Sequence, residues 1–174
     1  MAEIIYKKGY DGHKPVTLSD IEGISLELLN GETIVVFPKY KDANFLDNEK
    51  LPRYTRKGFR EIDALHLTST DATILTDELL ALESPAAKHV REQGAYDLPT
   101  LLAAGEIMRQ RKEIDKLART IEGADLFDNC GSGIWTCCRY SAGLAWYAGG
   151  NHSFFDVNGM FVSYLAVPVA LLKY

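Results

Sequence analysis

Residues 129–172 read NCGSGIWTCCRYSAGLAWYAGGNHSFFDVNGMFVSYLAVPVALL, and this stretch decides which fold the chain can adopt. Its only charged side chains are Arg139 and Asp156, whereas average usage would place about 11 charged residues in a segment of this length. It contains no Lys, Glu or Gln, and it is rich in Gly, Ser, Asn, Tyr, Phe and Val. These residues favour short strands and tight turns. The stretch therefore predicts a buried sheet, a binding face, or both.

Alternating residue types divide this stretch into strands. We predict strands over residues 134–140, 144–148, 153–157, 160–164 and 165–172. Residues 149–151 (Gly-Gly-Asn) predict a turn, and Asn158-Gly159 predicts a hairpin turn. Pro168 places the last strand at a sheet edge or a bulge, because proline cannot donate to a central ladder.

The N-terminal part predicts strands as well. Ile4 and Ile5 indicate a short edge strand, and residues 17–20 can cap a short helical turn. Residues 24–28 and 33–37 flank Asn30-Gly31, which is a strong hairpin signal. The polar segment 39–60 predicts a long surface loop or an irregular excursion, and weak alternation over residues 62–67 predicts another strand.

Helices are predicted in the middle of the chain. Thr76 and Asp77 can cap a first helix, and Pro85 can begin a second one that runs to about residue 93. Thr100 is the expected N-cap of the clearest helix. Apolar residues recur at three-, four- and seven-residue steps as far as Ile121, which is typical of a helix packed on a core. We therefore predict one α+β domain over residues 1–174, with small antiparallel sheets and two or more helices.

The composition excludes several classes of protein. The net charge of −5 gives no reason to expect nucleic acid as a partner. Residues 1–12 lack the apolar run of a signal peptide, and no run is long enough to cross a membrane. We expect synthesis in the cytoplasm and no membrane insertion, and association with a virion stays open.

The three cysteines are Cys130, Cys137 and Cys138. Their odd number without a signal peptide argues against a disulfide framework. Neighbours in a strand point to opposite faces, so we expect Cys137 and Cys138 to be poor joint ligands for a metal. We predict small buried thiols, no metal site and no cofactor.

Two further features have a functional and a structural interpretation. Arg53, Arg56, Lys57 and Arg60 form either an anion-binding patch or an ordinary solvated surface. His66 is either a base or ligand, or a structural histidine, and the spacing of the sequence marks no partner for it.

The order of four short motifs resembles a large bacterial family. The motifs are YDLPT at residues 96–100, IWTCC at 134–138, AWY at 145–147, and Pro168-Val169. The family carries W-R-L-P-T, W-S-S-T, A-W-Y and R-P-V in the same order. It has a C-type-lectin-like fold, akin to that of the formylglycine-generating enzymes, which also serves variable proteins diversified by retroelements. The resemblance implies a lectin-like core over residues 96–174, with residues 1–95 supplying N-terminal strands and helices.

The chain departs from the family pattern at several polar positions. Asp97 stands where the family usually has Arg, Cys137-Cys138 replaces Ser-Thr, and Val167 replaces the Arg of R-P-V. These polar groups typically tie the sheet of that fold together. The departures bear on the details of the alignment and leave the order of the elements unchanged.

The charge gap of residues 129–172 has two explanations. A retroelement of the resembling kind randomises adenines, and the resulting codons exclude Lys, Glu, Gln, Met and Trp. Between residues 129 and 172 the only excluded types present are Trp135, Trp146 and Met160. A buried antiparallel sheet would avoid Lys, Glu and Gln as well. Both explanations stand at this point.

The resemblance implies a non-enzymatic protein that binds a protein or glycan through its C-terminal strands. Aromatic and small polar residues are typical of adaptable binding faces. We expect Arg139 and the aromatic residues to be the anchors, and Trp135 and Trp146 to lie in the core. The predicted ligand-binding residues are Arg139, Tyr140, Ser141, Tyr147, Asn151, His152, Phe154, Asp156, Asn158, Ser163 and Tyr164.

Two other functions are open. One is a copper- and thiol-dependent oxidase of the formylglycine-generating type, which would use the cysteines with His152 as a helper. The other is a structural subunit of a phage or cell-surface assembly. The calcium motifs of some lectins are missing from the sequence, which agrees with the prediction of no metal. An oligomer is also open, because trimers occur on this scaffold.

Overall fold

The structure, a computed structural model, describes residues 1–129, 133–149 and 155–173. Within these ranges the chain forms a mixed α+β fold of eleven strands and five α-helices. The strands before the helices are β1 (Glu3–Tyr6), β2 (Val16–Thr17), β3 (Ile21–Glu27), β4 (Thr33–Val36) and β5 (Lys41–Asn44). The helices are α1 (Glu61–Ala64), α2 (Ser69–Ala81), α3 (Pro85–Glu92), α4 (Leu101–Arg109) and α5 (Arg111–Ala118). The remaining strands are β6 (Ile121–Glu122), β7 (Gly133–Arg139), β8 (Leu144–Gly149), β9 (Phe155–Gly159), β10 (Ser163–Ala166) and β11 (Val169–Leu171).

A four-stranded antiparallel sheet contains the N-terminal strands in the order β1-β3-β4-β11. The Asn30-Gly31 hairpin between β3 and β4 is confirmed. Gly31 has a φ of +88° there, and Leu28 N donates to Glu32 O at 2.8 Å. A positive φ is accessible to glycine without steric cost, which explains why the turn forms at this dipeptide.

The second sheet has five strands in the order β5-β10-β7-β8-β9. All its pairings are antiparallel except β10 with β7, which run parallel. Each of the two large sheets therefore combines strands from the first 50 residues with strands from the end of the chain. Strands β2 and β6 form a separate parallel pair.

The chain changes from one large sheet to the other at Pro168. Residues 165–172 were expected to form one strand, but β10 ends at Ala166 and β11 begins at Val169 in the other sheet. Proline has no N–H to donate, so the ladder ends here. Its carbonyl accepts a hydrogen bond from Phe37 N at 3.0 Å. β11 lies at a sheet edge, as the proline indicated.

Several sequence predictions were wrong about local structure. Residues 62–67 do not form a strand, because α1 occupies Glu61–Ala64. The predicted Asn158-Gly159 hairpin is absent, because Asn158 and Gly159 lie inside β9, which pairs with β8. Segment 39–60 contains β5 and a 3-10 helix (Asn48–Arg53). The turn predicted at residues 149–151 falls largely outside the described residues.

The helices begin and end at polar signals. α2 begins earlier than predicted, since Thr68 forms a capping box with Asp71. Thr76 lies inside α2, where its Oγ accepts a hydrogen bond from Leu98 N at 3.1 Å. α3 begins at Pro85 and α4 is capped by Thr100, both as predicted. A single helix was predicted to continue to residue 121. It breaks at Gln110 into α4 and α5, although apolar residues recur on both sides of the break.

Two apolar clusters form the core. One joins the four-stranded sheet, α4 and α5 and includes Ile134, Ala148 and Leu165 of the five-stranded sheet, and the other packs the five-stranded sheet against α2 and α3. Helix α4 lies against β7 and β8. Trp135 is fully buried and Trp146 is 7% exposed, which confirms their prediction as core residues. Trp135 Nε1 donates to Ala43 O at 2.7 Å, and Trp146 Nε1 donates to Phe59 O at 2.9 Å. The two indole N–H groups therefore tie Ala43 and Phe59 to strands β7 and β8.

Candidate functional site

Two tyrosines from non-adjacent strands meet on the five-stranded sheet. Tyr147 of β8 and Tyr164 of β10 stack with ring centroids 4.2 Å apart and planes 16° apart. Both rings lie edge-on to the buried Trp135 of β7, at 6.4 Å and 4.9 Å. Each tyrosine is half-buried, so part of each ring is open to solvent. The buried indole holds both tyrosine rings in place. A ligand could therefore bind this aromatic surface with little loss of side-chain entropy.

Two polar side chains of β9 complete this surface. Asp156 is the direct cross-strand neighbour of Tyr147, and Asn158 is the neighbour of Ala145. Asn158 Nδ2 donates to the hydroxyl of Tyr164 at 2.8 Å. Asp156 is exposed, and its Oδ1 accepts a hydrogen bond from Val157 N at 2.8 Å. We call Tyr147, Asp156, Asn158 and Tyr164 the tyrosine face.

Strand alternation explains which predicted residues meet. Asp156 and Asn158 are two residues apart in β9, so both side chains lie on the side of the sheet that carries Tyr147. Ser163 precedes Tyr164 and therefore points to the other side, where its hydroxyl donates to Asn44 Oδ1 at 3.0 Å. Ser163 and Tyr164 were predicted to belong to one binding face. Alternation along β10 instead puts their side chains on opposite sides of the sheet.

The surroundings of Tyr147 make its hydroxyl a weaker acid. A side-chain hydrogen bond to Tyr164, followed by burial, raises the pKa of Tyr147 to about 12. The nearby carboxylate of Asp156 acts in the same direction. The hydroxyl of Tyr147 therefore stays protonated at neutral pH and can donate or accept hydrogen bonds, and it is a poor candidate for a general base.

Arg139 does not lie on the tyrosine face. Its side chain is 8% exposed, and Nε donates to Ser141 O at 2.6 Å. Nη1 donates to Tyr54 O at 3.2 Å and to Arg56 O, and the guanidinium lies 4.9 Å from the centre of the Tyr54 ring. The guanidinium is engaged with the protein's own backbone. We therefore correct the expectation that Arg139 is a ligand anchor.

The other predicted residues have different positions. Tyr140 is 44% exposed and lies edge-on to Trp146 at 5.3 Å, near the end of β7 that carries Arg139. Ser141 is half-buried, and its carbonyl accepts the hydrogen bond from Arg139. Asn151, His152 and Phe154 lie outside the described residues. The structure thus brings together four of the predicted residues, which are those of the tyrosine face.

The cysteine pair differs from its predicted geometry. Cys137 and Cys138 are both fully buried, and their sulfur atoms are 3.8 Å apart. A bulge in β7 explains why both residues face one core. Trp135 pairs with Tyr147 and Arg139 pairs with Ala145, so β7 has two more residues than β8 between these pairs. The opposite-face prediction for the two thiols was wrong, and Cys130 lies outside the described residues.

Three of the four predicted basic residues, Arg53, Arg56 and Lys57, line a cleft of about 480 Å³ together with Glu78. Arg56 forms a bidentate ion pair with Glu78, and Arg60 pairs with Asp63 at 3.0 Å. Arg53 and Lys57 are exposed. Two of the four cations are therefore neutralised within the protein, which weakens the interpretation as an anion-binding patch. His66 is exposed in the loop before α2.

Over residues 1–129, 133–149 and 155–173, no group of three or more His, Cys, Asp or Glu side chains is placed to hold a metal ion. In the same part of the chain, no helix has both the length and the apolar character needed to cross a bilayer. Comparison with protein-family models, with curated proteins and with solved structures gave no significant match. The proposed function below therefore rests on the chemistry of the described residues.

Proposed function

We propose that this chain is a non-enzymatic binding protein that contacts a ligand through the tyrosine face. The observation that carries the proposal is the stacked pair Tyr147 and Tyr164, half-exposed on a sheet and held by Trp135. Half-exposed aromatic rings fixed by their neighbours lose little entropy on binding and offer a large contact area. Asp156 and Asn158 add hydrogen-bonding groups beside the rings.

The scaffold we propose is a C-type-lectin-like fold. The α+β architecture, the two small sheets and the C-terminal strands that cross from one sheet to the other are compatible with it. The YDLPT segment leads into α4, whose N-cap is Thr100, and Pro99 O accepts a hydrogen bond from Cys137 N at 2.8 Å. Two of the motifs that carry the resemblance are therefore in direct contact.

We further propose that the tyrosine face is a diversified surface. Tyr147, Asp156, Asn158 and Tyr164 all belong to residue types that adenine randomisation produces. Trp135, which lies under the pair, belongs to the excluded types and is fully buried. This division between variable surface and constant support is what a diversified binding protein requires. A phage or cell-surface setting would follow from it.

The DNA on either side of the gene tests the diversification. We expect a near-copy of the segment coding for residues 134–164, with mismatches at adenines, close to a reverse transcriptase gene. The mismatched codons should include those of the tyrosine face and spare that of Trp135. If mismatches fall equally on the codon for Trp135, or if no near-copy exists, the diversification is rejected and the binding proposal has to rest on the face alone.

A binding selection tests the face itself. Wild type and a Tyr147→Ser/Tyr164→Ser variant would be immobilised and exposed to a displayed random-peptide library and to a glycan array. We expect ligands that the wild type retains and the variant loses, while circular dichroism shows that both are folded. Ligands retained equally by both proteins would place binding elsewhere on the molecule. No ligand for either protein would favour a structural subunit.

An oxidase of the formylglycine-generating type is the second candidate, and the 3.8 Å separation of the Cys137 and Cys138 sulfur atoms is the observation that favours it. Metal analysis of the purified protein separates the two proposals. Stoichiometric copper that is lost in a Cys137→Ala/Cys138→Ala variant would support the oxidase. Copper far below one equivalent in the wild type would support the binding protein.

A further inference from the structure

The charges of the C-terminal segment are not equally available to a ligand. Residues 129–172 contain one cation, Arg139, and one anion, Asp156. Arg139 is buried, and its donors are directed at three backbone carbonyls. Asp156 is exposed, and among the described residues no Lys, Arg or His lies within ion-pair distance of its carboxylate. Among the described residues of this segment, Asp156 is therefore an exposed negative charge without a cationic partner.

This negative charge lies beside an aromatic ring. Asp156 and Tyr147 are direct cross-strand neighbours, and side chains at such positions are about 5 Å apart at Cβ. Tyr164 reaches the same ring from β10, on the other side of β7. A carboxylate next to a tyrosine ring combines the two groups that attract a cation, one by charge and the other through the negative face of its π system.

We propose that the partner is a protein or peptide that places an arginine side chain on the tyrosine face. This inference rests on the proposed function and specifies the chemistry of its ligand. A guanidinium is planar, so it can stack on the ring of Tyr147 while its N–H groups donate to the carboxylate of Asp156. A lysine ammonium can satisfy the carboxylate but lacks the planar stacking surface.

The neutral groups of the face fit the same partner. The carboxamide of Asn158 is oriented by its hydrogen bond to the Tyr164 hydroxyl, and its Oδ1 accepts from Gly159 N at 2.8 Å. The hydroxyl of Tyr147 remains protonated at neutral pH, so it can donate a hydrogen bond to a backbone carbonyl of the peptide. An acidic ligand would instead meet the carboxylate of Asp156, which no cation pairs with in the part of the chain that the structure describes.

The test uses a random-peptide library displayed on phage and selected on the wild-type protein. Phage that also bind the Tyr147→Ser/Tyr164→Ser variant are removed first. The remaining peptides are synthesised and their dissociation constants are measured at low and high salt. Two matched variants are compared, Asp156→Asn and Asp42→Asn, because each removes one exposed carboxylate from the same sheet. Asp42 pairs with Leu165 in β10, on the side opposite the tyrosines.

We expect the selected peptides to be enriched in arginine. Asp156→Asn should weaken their binding about tenfold, as loss of a partly desolvated charge pair does, and Asp42→Asn by less than about twofold. Replacing the peptide arginine by glutamine should weaken binding about tenfold, and replacing it by lysine should have a smaller effect.

Four outcomes would overturn the inference, and the last of them would also overturn the proposed function. Peptides without arginine enrichment that bind Asp156→Asn unchanged would reject the arginine partner and leave the binding proposal standing. Glycans that need both tyrosines, with no such peptide, would do the same. Equal losses with Asp156→Asn and Asp42→Asn would show a long-range effect of net charge instead of a local pair. If no probe depends on the tyrosines, the proposed function fails together with the inference.

Discussion

Tyr147 and Tyr164 lie on strands separated by a third strand, yet their rings stack at a centroid distance of 4.2 Å. The contact is made over Trp135, whose indole fills the space between the two strands and lies edge-on to both rings. Because the Trp135 Nε1–H donates to Ala43 O, the indole is also held by β5, the edge strand beside β10. The stacked pair therefore depends on β5, β7, β8 and β10, and the two polar side chains of the tyrosine face come from β9.

Removal of both tyrosine rings should show that they act as a pair. We expect Tyr147→Leu and Tyr164→Leu to be coupled by about 0.5–1.5 kcal/mol in the free energy of unfolding, the usual value for stacked aromatic pairs. Urea denaturation of the two single variants and the double variant measures this coupling. Tyr6→Leu combined with Tyr164→Leu is the control, since Tyr6 stacks on Tyr10 instead, and its effect should be additive. Additive effects for the Tyr147 and Tyr164 pair would contradict the stacking.

The raised pKa of Tyr147 predicts a loss of stability at high pH. The folded protein favours the neutral phenol, so the stabilisation is fully present below the ordinary tyrosine pKa, near pH 10. It is lost as the pH rises through the folded value of about 12. We expect the free energy of unfolding to fall less steeply between pH 10 and about 12 in Tyr147→Phe than in the wild type. Parallel curves for the two proteins would show that the hydroxyl of Tyr147 titrates normally.

Arg139 is predicted to be a structural residue that holds segment 54–57 and Ser141 against β7. Arg139→Met would leave the carbonyls of Tyr54, Arg56 and Ser141 without their donor, so we expect a loss of about 2–4 kcal/mol. Urea denaturation measures the loss, and faster proteolysis within segment 53–58 should accompany it.

Arg60→Met is the matched control for Arg139→Met. Arg60 is exposed and forms an i,i+3 ion pair with Asp63, so its replacement should change the stability by less than about 0.5 kcal/mol. Arg139→Lys keeps the charge but has fewer hydrogen-bond donors. Its loss of stability should therefore be smaller than that of Arg139→Met and larger than that of Arg60→Met. A loss for Arg139→Met as small as that for Arg60→Met would argue that the guanidinium is free for a ligand.

The two buried thiols should be inert in the folded protein. A hydrogen bond with Cys138, followed by burial, raises the pKa of the Cys137 thiol, so little reactive thiolate forms at neutral pH. In a Cys130→Ser background we expect no reaction of Cys137 or Cys138 with an aromatic disulfide reagent within hours. Both thiols should react within minutes in urea. Rapid reaction in the native protein would mean that the β7 bulge opens, and it would revive the oxidase.

The sequence located local features that depend on a few neighbouring residues. The Asn30-Gly31 hairpin, the start of α3 at Pro85, the Thr100 cap and the burial of both tryptophans were all predicted correctly. Each depends on backbone preferences or on an apolar side chain within one short segment. The α1 helix was missed because a four-residue helix leaves no periodic pattern, and α2 was placed too late because Thr68 lies outside the apolar run.

Composition and alternation are local properties, so they were enough to indicate that the C-terminal third consists of strands rich in tyrosine and asparagine with almost no charge. They could not tell which of those side chains share a surface. The folded chain was needed to show that Arg139 is buried, that the side chain of Ser163 lies on the side of the sheet opposite Tyr164, and that the four residues of the tyrosine face meet. The physical reason is that strand order, register and the bulge in β7 are set by contacts between segments far apart in the chain, and one residue of register moves a side chain to the other face.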